Sequence, residues 1–95
     1  MPYIKENDRN RLDNCIDNMI KCLDKQDIAL ILGDINYTFS RILGGLMKDP
    51  SYNKVAMITG VLENIKQEFY RRVASPYEDK KILENGDIKE YKKLN

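Results

Sequence analysis

Apolar residues recur at three- and four-residue steps in three separate stretches of this chain, and that period selects one kind of structure. In the first stretch Leu12, Cys15, Ile16, Met19, Ile20 and Leu23 alternate with Arg11, Asp13, Asn14, Asp17, Asn18 and Lys21. Steps of three and four stack side chains on one side of an α-helix, so a one-sided amphipathic helix is expected. A second stripe, Ile35, Phe39, Ile42, Leu43 and Leu46, predicts a helix ending about Met47. The third and longest runs from about Ser51 to Ala74 on Val55, Ile58, Leu62, Ile65, Phe69 and Val73. Its intervening positions include Thr59, Glu63, Lys66, Glu68 and Arg72. Ile28 to Leu32 is apolar enough for a strand, but a lone strand has nothing to pair with. A short helical turn or a buried connector is expected there. The chain reads as all-α, a small helical bundle of three main helices plus a short fourth C-terminal helix.

Punctuation between the stripes sets the expected boundaries. A short arm, residues 1–6, carries Tyr3-Ile4, which should dock on this subunit or on a neighbour. Asn7 or Asp8 is expected to cap the first helix, and Gly33-Asp34 to restart the chain with Asp34 as a cap. Asp49 should cap the third helix, with Pro50 as its first residue. Ser75-Pro76-Tyr77-Glu78 has the form of a capping box opening a fourth helix, which should run to Leu83 or Glu84. Asn85-Gly86 is its stop. Residues 87–95 form a Lys-rich tail that frays unless Ile88 and Tyr91 dock. Gly44-Gly45 implies close backbone approach or early fraying. Gly60, in mid-helix, implies a close helix crossing.

With 95 residues this is one domain, residues 1–95, with a limited core. The longest apolar run is Ile28 to Leu32, far short of the ~20 residues that span a bilayer. The first residues lack the basic-then-apolar layout of a signal peptide, which places the protein in the cytoplasm. Net charge is +1 with the signs interspersed, and this argues against a duplex nucleic-acid binder. The absence of histidine removes the commonest general acid–base and the usual zinc ligand. Cys15 and Cys22 share one helix face without metal-site spacing and are expected as buried thiols.

The densest chemistry lies in Phe69-Tyr70-Arg71-Arg72-Val73-Ala74-Ser75-Pro76-Tyr77-Glu78-Asp79-Lys80-Lys81. Guanidinium forks match phosphate or carboxylate oxygens, and tyrosine rings stack on planar groups. Arg71 and Arg72 either pair with Glu68, Glu78 or Asp79 to hold a helix junction, or bind phosphate while Tyr70 or Tyr77 stacks on a base. Gly33-Asp34 opens a helix whose free N–H groups suit an anion, but Asp34 would repel a phosphate there. Asn36, Tyr37 and Arg41 are better placed, offering an amide, a ring and a fork. The six tyrosines, against two phenylalanines and no tryptophan, suit a subunit interface or a half-wet pocket. Of the acids, Asp13 and Asp17 share a face but Glu63 and Glu68 do not. A metal-dependent hydrolase is not expected, and no cofactor is implied.

The blocks Met1-Pro2-Tyr3-Ile4, Gly33-Asp34-Ile35-Asn36-Tyr37, Phe69-Tyr70-Arg71-Arg72-Val73, Pro76-Tyr77-Glu78-Asp79-Lys80-Lys81-Ile82 and Glu84-Asn85-Gly86-Asp87 occur in this order. Together they resemble a small family of proteins without assigned function, carried by bacteriophages and prokaryotic genomes. The resemblance implies a small accessory protein, with inhibitors of host defence among the roles. Joined to the residue types, it leads to the expectation of a homo-oligomer that sequesters a nucleotide-like anion in the host cytoplasm. The alternative is a protein–protein interaction module in which the same Tyr–Arg surface meets a partner.

Overall fold

The computed structural model describes residues 3–24 and 27–94. Met1 and Pro2 of the arm, Lys25 and Gln26 before the apolar connector, and Asn95 of the tail lie outside the described residues. The elements are α1 (Glu6–Leu23), a 3₁₀ turn (Ile28–Ile31), α2 (Leu32–Leu46), α3 (Tyr52–Phe69), a π-turn (Tyr70–Ala74), α4 (Ser75–Asn85) and α5 (Lys89–Lys92). The fold is therefore all-helical. Its three main stretches are α1, the 3₁₀ turn running into α2, and one helix continuous over 52–85. The chain divides into two compact units, Met1–Lys54 and Val55–Asn95.

In the first unit α1 begins at Glu6, ahead of the expected caps, so Asn7 and Asp8 lie in its first turn. Lys5 precedes the helix in extended backbone, and its carbonyl accepts from the Asp8 N–H at 2.9 Å. Glu6 and Asp8 near this end oppose the helix dipole favourably. The connector forms the expected short helical turn, with Ile31 buried. The Asp27 carboxylate caps it by accepting from the Ala29 N–H at 3.0 Å. Because this turn feeds directly into α2, Gly33 and Asp34 fall inside the helix and Asp34 is not its cap. The end of α2 is as expected, with the Met47 N–H donating to the Leu43 carbonyl at 3.0 Å. Ser51, not Asp49, caps α3: its Oγ accepts from the Lys54 N–H at 3.2 Å, and Pro50 stays outside the helix.

The second unit departs most from expectation, because Pro76 does not break the helix. Ser75 has helical backbone (φ −63°, ψ −47°) and makes no cap, so the capping box does not form. Its N–H reaches back to the Tyr70 carbonyl, a five-residue step. Proline has no N–H, and its ring presses on the carbonyl four residues earlier. Widening one turn to π accommodates both defects without ending the helix. The stop at Gly86 is as expected. Its φ of +87° is one that glycine adopts without strain, and its N–H closes on the Ile82 carbonyl at 2.8 Å. The tail makes a single helical turn, with Ile88 and Tyr91 both exposed.

Burial is where the largest correction lies. Among the described residues only Ile31 is buried. Leu12, Ile16 and Met19 of α1, Phe39 and Leu46 of α2, and Val55, Leu62, Ile65 and Phe69 of α3 are all exposed. The expected buried thiols are exposed too, since Cys15 and Cys22 share the uncovered α1 face. The close approach expected at Gly60 is not seen either: a Cβ built there, or at Gly44 or Gly45, meets nothing within 4 Å. The helices are amphipathic as read, but the residues of their apolar stripes are exposed.

Candidate functional site

The seven residues singled out from the sequence fall into two groups, one in each unit. In the second unit Glu68 lies one turn before both arginines. Arg71 Nη2 donates to the two Glu68 carboxylate oxygens at 3.0 and 3.2 Å, and Arg72 Nε donates to Oε1. The Arg72 hydrogen bond foremost, aided by Arg71 and opposed by partial desolvation, holds the Glu68 carboxyl below its ordinary pKa. One carboxylate against two guanidiniums leaves a net local charge of +1. Both arginine side chains remain largely exposed, 67% and 60%, so some donors still face water. The partner is Glu68; no hydrogen bond or ion pair joins either arginine to Glu78 or Asp79 among the described residues.

Glu78 is instead taken by Tyr70, whose hydroxyl donates to Oε1 at 2.9 Å and Oε2 at 3.1 Å. This pair is eight residues apart, which in a regular α-helix is about 80° off a common face. The residue added by the π-turn makes eight positions behave like seven, close to two full turns. The Glu78 hydrogen bond pushes the Tyr70 phenol above its ordinary pKa. Tyr77 lies under the Lys81 ammonium, 5.6 Å from its ring centroid, while Lys81 donates to Glu84 at 3.0 Å. This group therefore reads as a chain of local pairings along one helix. Sequence reasoning missed the Tyr70–Glu78 bond because it assigned Glu78 to a capping box.

The first-unit group is different. Tyr37 and Arg41 lie one turn apart on α2, with the guanidinium carbon 5.8 Å from the ring centroid. They line a shallow concavity of about 280 Å³ with Met19 of α1 and Thr38 and Ile42 of α2. Among the described residues no carboxylate pairs with Arg41. Asn36 is not part of this lining; its Oδ1 accepts from Ser40 Oγ at 3.3 Å. Thr38 and Ile42 were legible in principle, since each follows Tyr37 or Arg41 by one residue. Met19 was not, because its partner helix is distant in sequence. A second concavity of about 310 Å³ is bordered by Tyr3, Ile4, Arg9, Leu12, Asp13 and Ile16. There the arm is tied to α1 by Arg9 Nε donating to the Ile4 carbonyl at 3.0 Å.

Among the described residues no three acidic or thiol side chains gather as a metal site, and no helix is long and apolar enough to cross a membrane. Residues 1–88 match the family model described as Domain of unknown function (DUF6899), and the chain belongs to that family. No curated protein and no solved structure matches the chain.

Proposed function

We propose that this chain is a small accessory protein that binds and sequesters an anionic, nucleotide-like ligand, held at Tyr37 and Arg41 rather than at the Arg71–Arg72 pair. The observation that carries this reading is the ring-and-guanidinium pair on the concavity, with Arg41 free of any carboxylate among the described residues. A phosphate oxygen would take the guanidinium edge, and a base would lie against the tyrosine ring and the apolar wall of Met19 and Ile42. Arg71 and Arg72, half neutralised by Glu68, would add only a weaker positive edge. The role is capture without turnover. The resemblance to phage-carried proteins directs the choice of ligand toward host immune signalling nucleotides, and the site of action toward the host cytoplasm. Calorimetry against cyclic di- and trinucleotides and ADP-ribose derivatives tests this. Heat with at least one is expected; none at high protein concentration removes the reading.

A second reading is favoured by a different observation, the uncovered apolar stripes beside exposed tyrosines and arginines. Tyrosine and arginine are common hot-spot residues of protein interfaces, so a protein–protein interaction module fits the same surface. Reversing the charge at Arg41 separates the two. Nucleotide binding is lost under the first, whereas under the second a partner is lost in pull-downs.

A further inference from the structure

Met19, Tyr37, Thr38, Arg41 and Ile42, which line the concavity on α1 and α2, all belong to the first unit, so its shape is set within that unit. Its volume of about 280 Å³ falls at the foot of the ~300–1,000 Å³ range of small-molecule sites. A hollow at this end of the range holds one nucleotide. Two or three linked nucleotides exceed it.

Charge narrows the ligand further. Of the five lining residues only Arg41 is a cation; Tyr37 and Thr38 add hydroxyls, and Met19 and Ile42 are apolar. A guanidinium offers five N–H donors but a single positive charge, and its fork takes two oxygens of one phosphate. The neighbouring lysines of the first unit lie off this lining. Lys21 is two residues after Met19, about 200° round α1, and Lys48 lies beyond the end of α2. Each phosphate after the first would therefore add negative charge with no fork to receive it. The 5.8 Å between the Arg41 guanidinium carbon and the Tyr37 ring centroid sets a third limit. Ring and fork address atoms a few ångströms apart, which suits a base and a phosphate of the same compact nucleotide.

We propose, on the strength of the sequestration reading above, that the ligand held at Tyr37 and Arg41 is a single nucleotide with one phosphodiester charge, of the nucleoside cyclic monophosphate class. Dinucleotides, trinucleotides and polyphosphates gain nothing from this site beyond what their first phosphate and base supply.

Calorimetry on the full chain tests this with the 3′,5′-cyclic monophosphates of the four common bases. The matching 5′-mono-, di- and triphosphates and cyclic dinucleotides complete the series. At least one cyclic monophosphate should bind at one per chain, with no longer or more highly charged relative more than tenfold tighter. Arg41→Ala should weaken that binding at least tenfold, and Lys48→Ala less than tenfold. A rise of more than tenfold along the phosphate series, or from cyclic mono- to dinucleotide, overturns the proposal and leaves sequestration standing. So does heat from dinucleotides alone, or a tenfold loss with Lys48→Ala, which would reveal a second cation. Unchanged affinity in Arg41→Ala overturns it as well, because the phosphate would then be held elsewhere. No heat from any member of the series removes the sequestration reading and this ligand class with it.

Discussion

The two units solve the same problem, how to stabilise amphipathic helices in a short chain, to different extents. In residues 3–54 a 3₁₀ turn delivers Ile31 into a buried position, and Tyr37, Arg41 and Met19 come from two helices to shape a concavity. Residues 55–94 are essentially one long helix whose side-chain bonds run along itself: Glu68 with Arg71 and Arg72, Tyr70 with Glu78, Lys81 with Glu84. Exposed pairs of this kind contribute little to stability, so they do not substitute for burial. Local order comes from bonds within three to eight residues. Tertiary order must come from covering the stripes.

The sharpest way to break that comparison is to truncate one apolar residue in each unit. Ile31→Ala should lower stability by about 2 kcal/mol, the lower end of the range for buried isoleucine because its surroundings are open. Chemical denaturation checks this. Ile65→Ala should cost a similar amount if the stripe is covered in solution, but almost nothing if it stays wet, where alanine is also the better helix former. Equal losses mean that the stripe of the second unit is covered in solution. A negligible loss at 65 means the units truly differ.

Next in size is Pro76→Ala. Restoring an N–H and removing the ring should let the π-turn close to α and raise stability by about 1–3 kcal/mol, up to proline's usual penalty in a helix. Closing it rotates everything after residue 76 by about 100°, so Tyr70 and Glu78 should separate. Thermal melts read the first effect. Loss of the raised Tyr70 pKa reads the second. No change in either would mean that the widened turn is held by something other than proline.

Arg41→Ala against Arg71→Ala sharpens the comparison at the level of ligand binding. If the concavity in the first unit takes the anion, Arg41→Ala should weaken nucleotide affinity at least tenfold, about 1.4 kcal/mol. Arg71→Ala should change it less than threefold, since that guanidinium already serves Glu68. The reverse ranking, measured by calorimetry, would move the site to the second unit.

These contrasts show what the sequence could and could not disclose. Period three-and-four patterns located every main helix, and glycine at 86 located the stop, because both act through a few neighbouring residues. The cap assignments failed where a competing local bond existed: Ser51 lies closer to the third helix than Asp49, and the 3₁₀ turn made a cap at Asp34 unnecessary. Pro76 was misread because proline signals either a helix start or a helix defect, and only the carbonyl geometry of residues 70–75 decides. Tyr37 and Arg41 were found from their one-turn spacing, but Met19 could not be placed beside them without the fold. Burial of Cys15 and Cys22 and a close crossing at Gly60 were inferred on the premise that an apolar stripe is covered, but both thiols are exposed and a Cβ at Gly60 meets nothing within 4 Å.

The smallest expected effects are the pH responses of the second unit's local pairs, and their signs are opposite. Glu68 has a depressed pKa when folded, so its contribution is present above its ordinary carboxyl value and is lost as pH falls through the folded value. Tyr70 has a raised pKa, so its contribution is intact below its ordinary phenol value and is lost as pH rises through the folded value. Between the two windows stability should be flat with respect to both groups. Absorbance titration should show the Tyr70 phenol ionising above its ordinary range, and Glu78→Gln should return it to that range. If Glu78→Gln leaves the delayed phenol unmoved, the bond across the π-turn is not its cause. The eight-residue pairing would then be an accident of side-chain placement rather than a consequence of the widened turn.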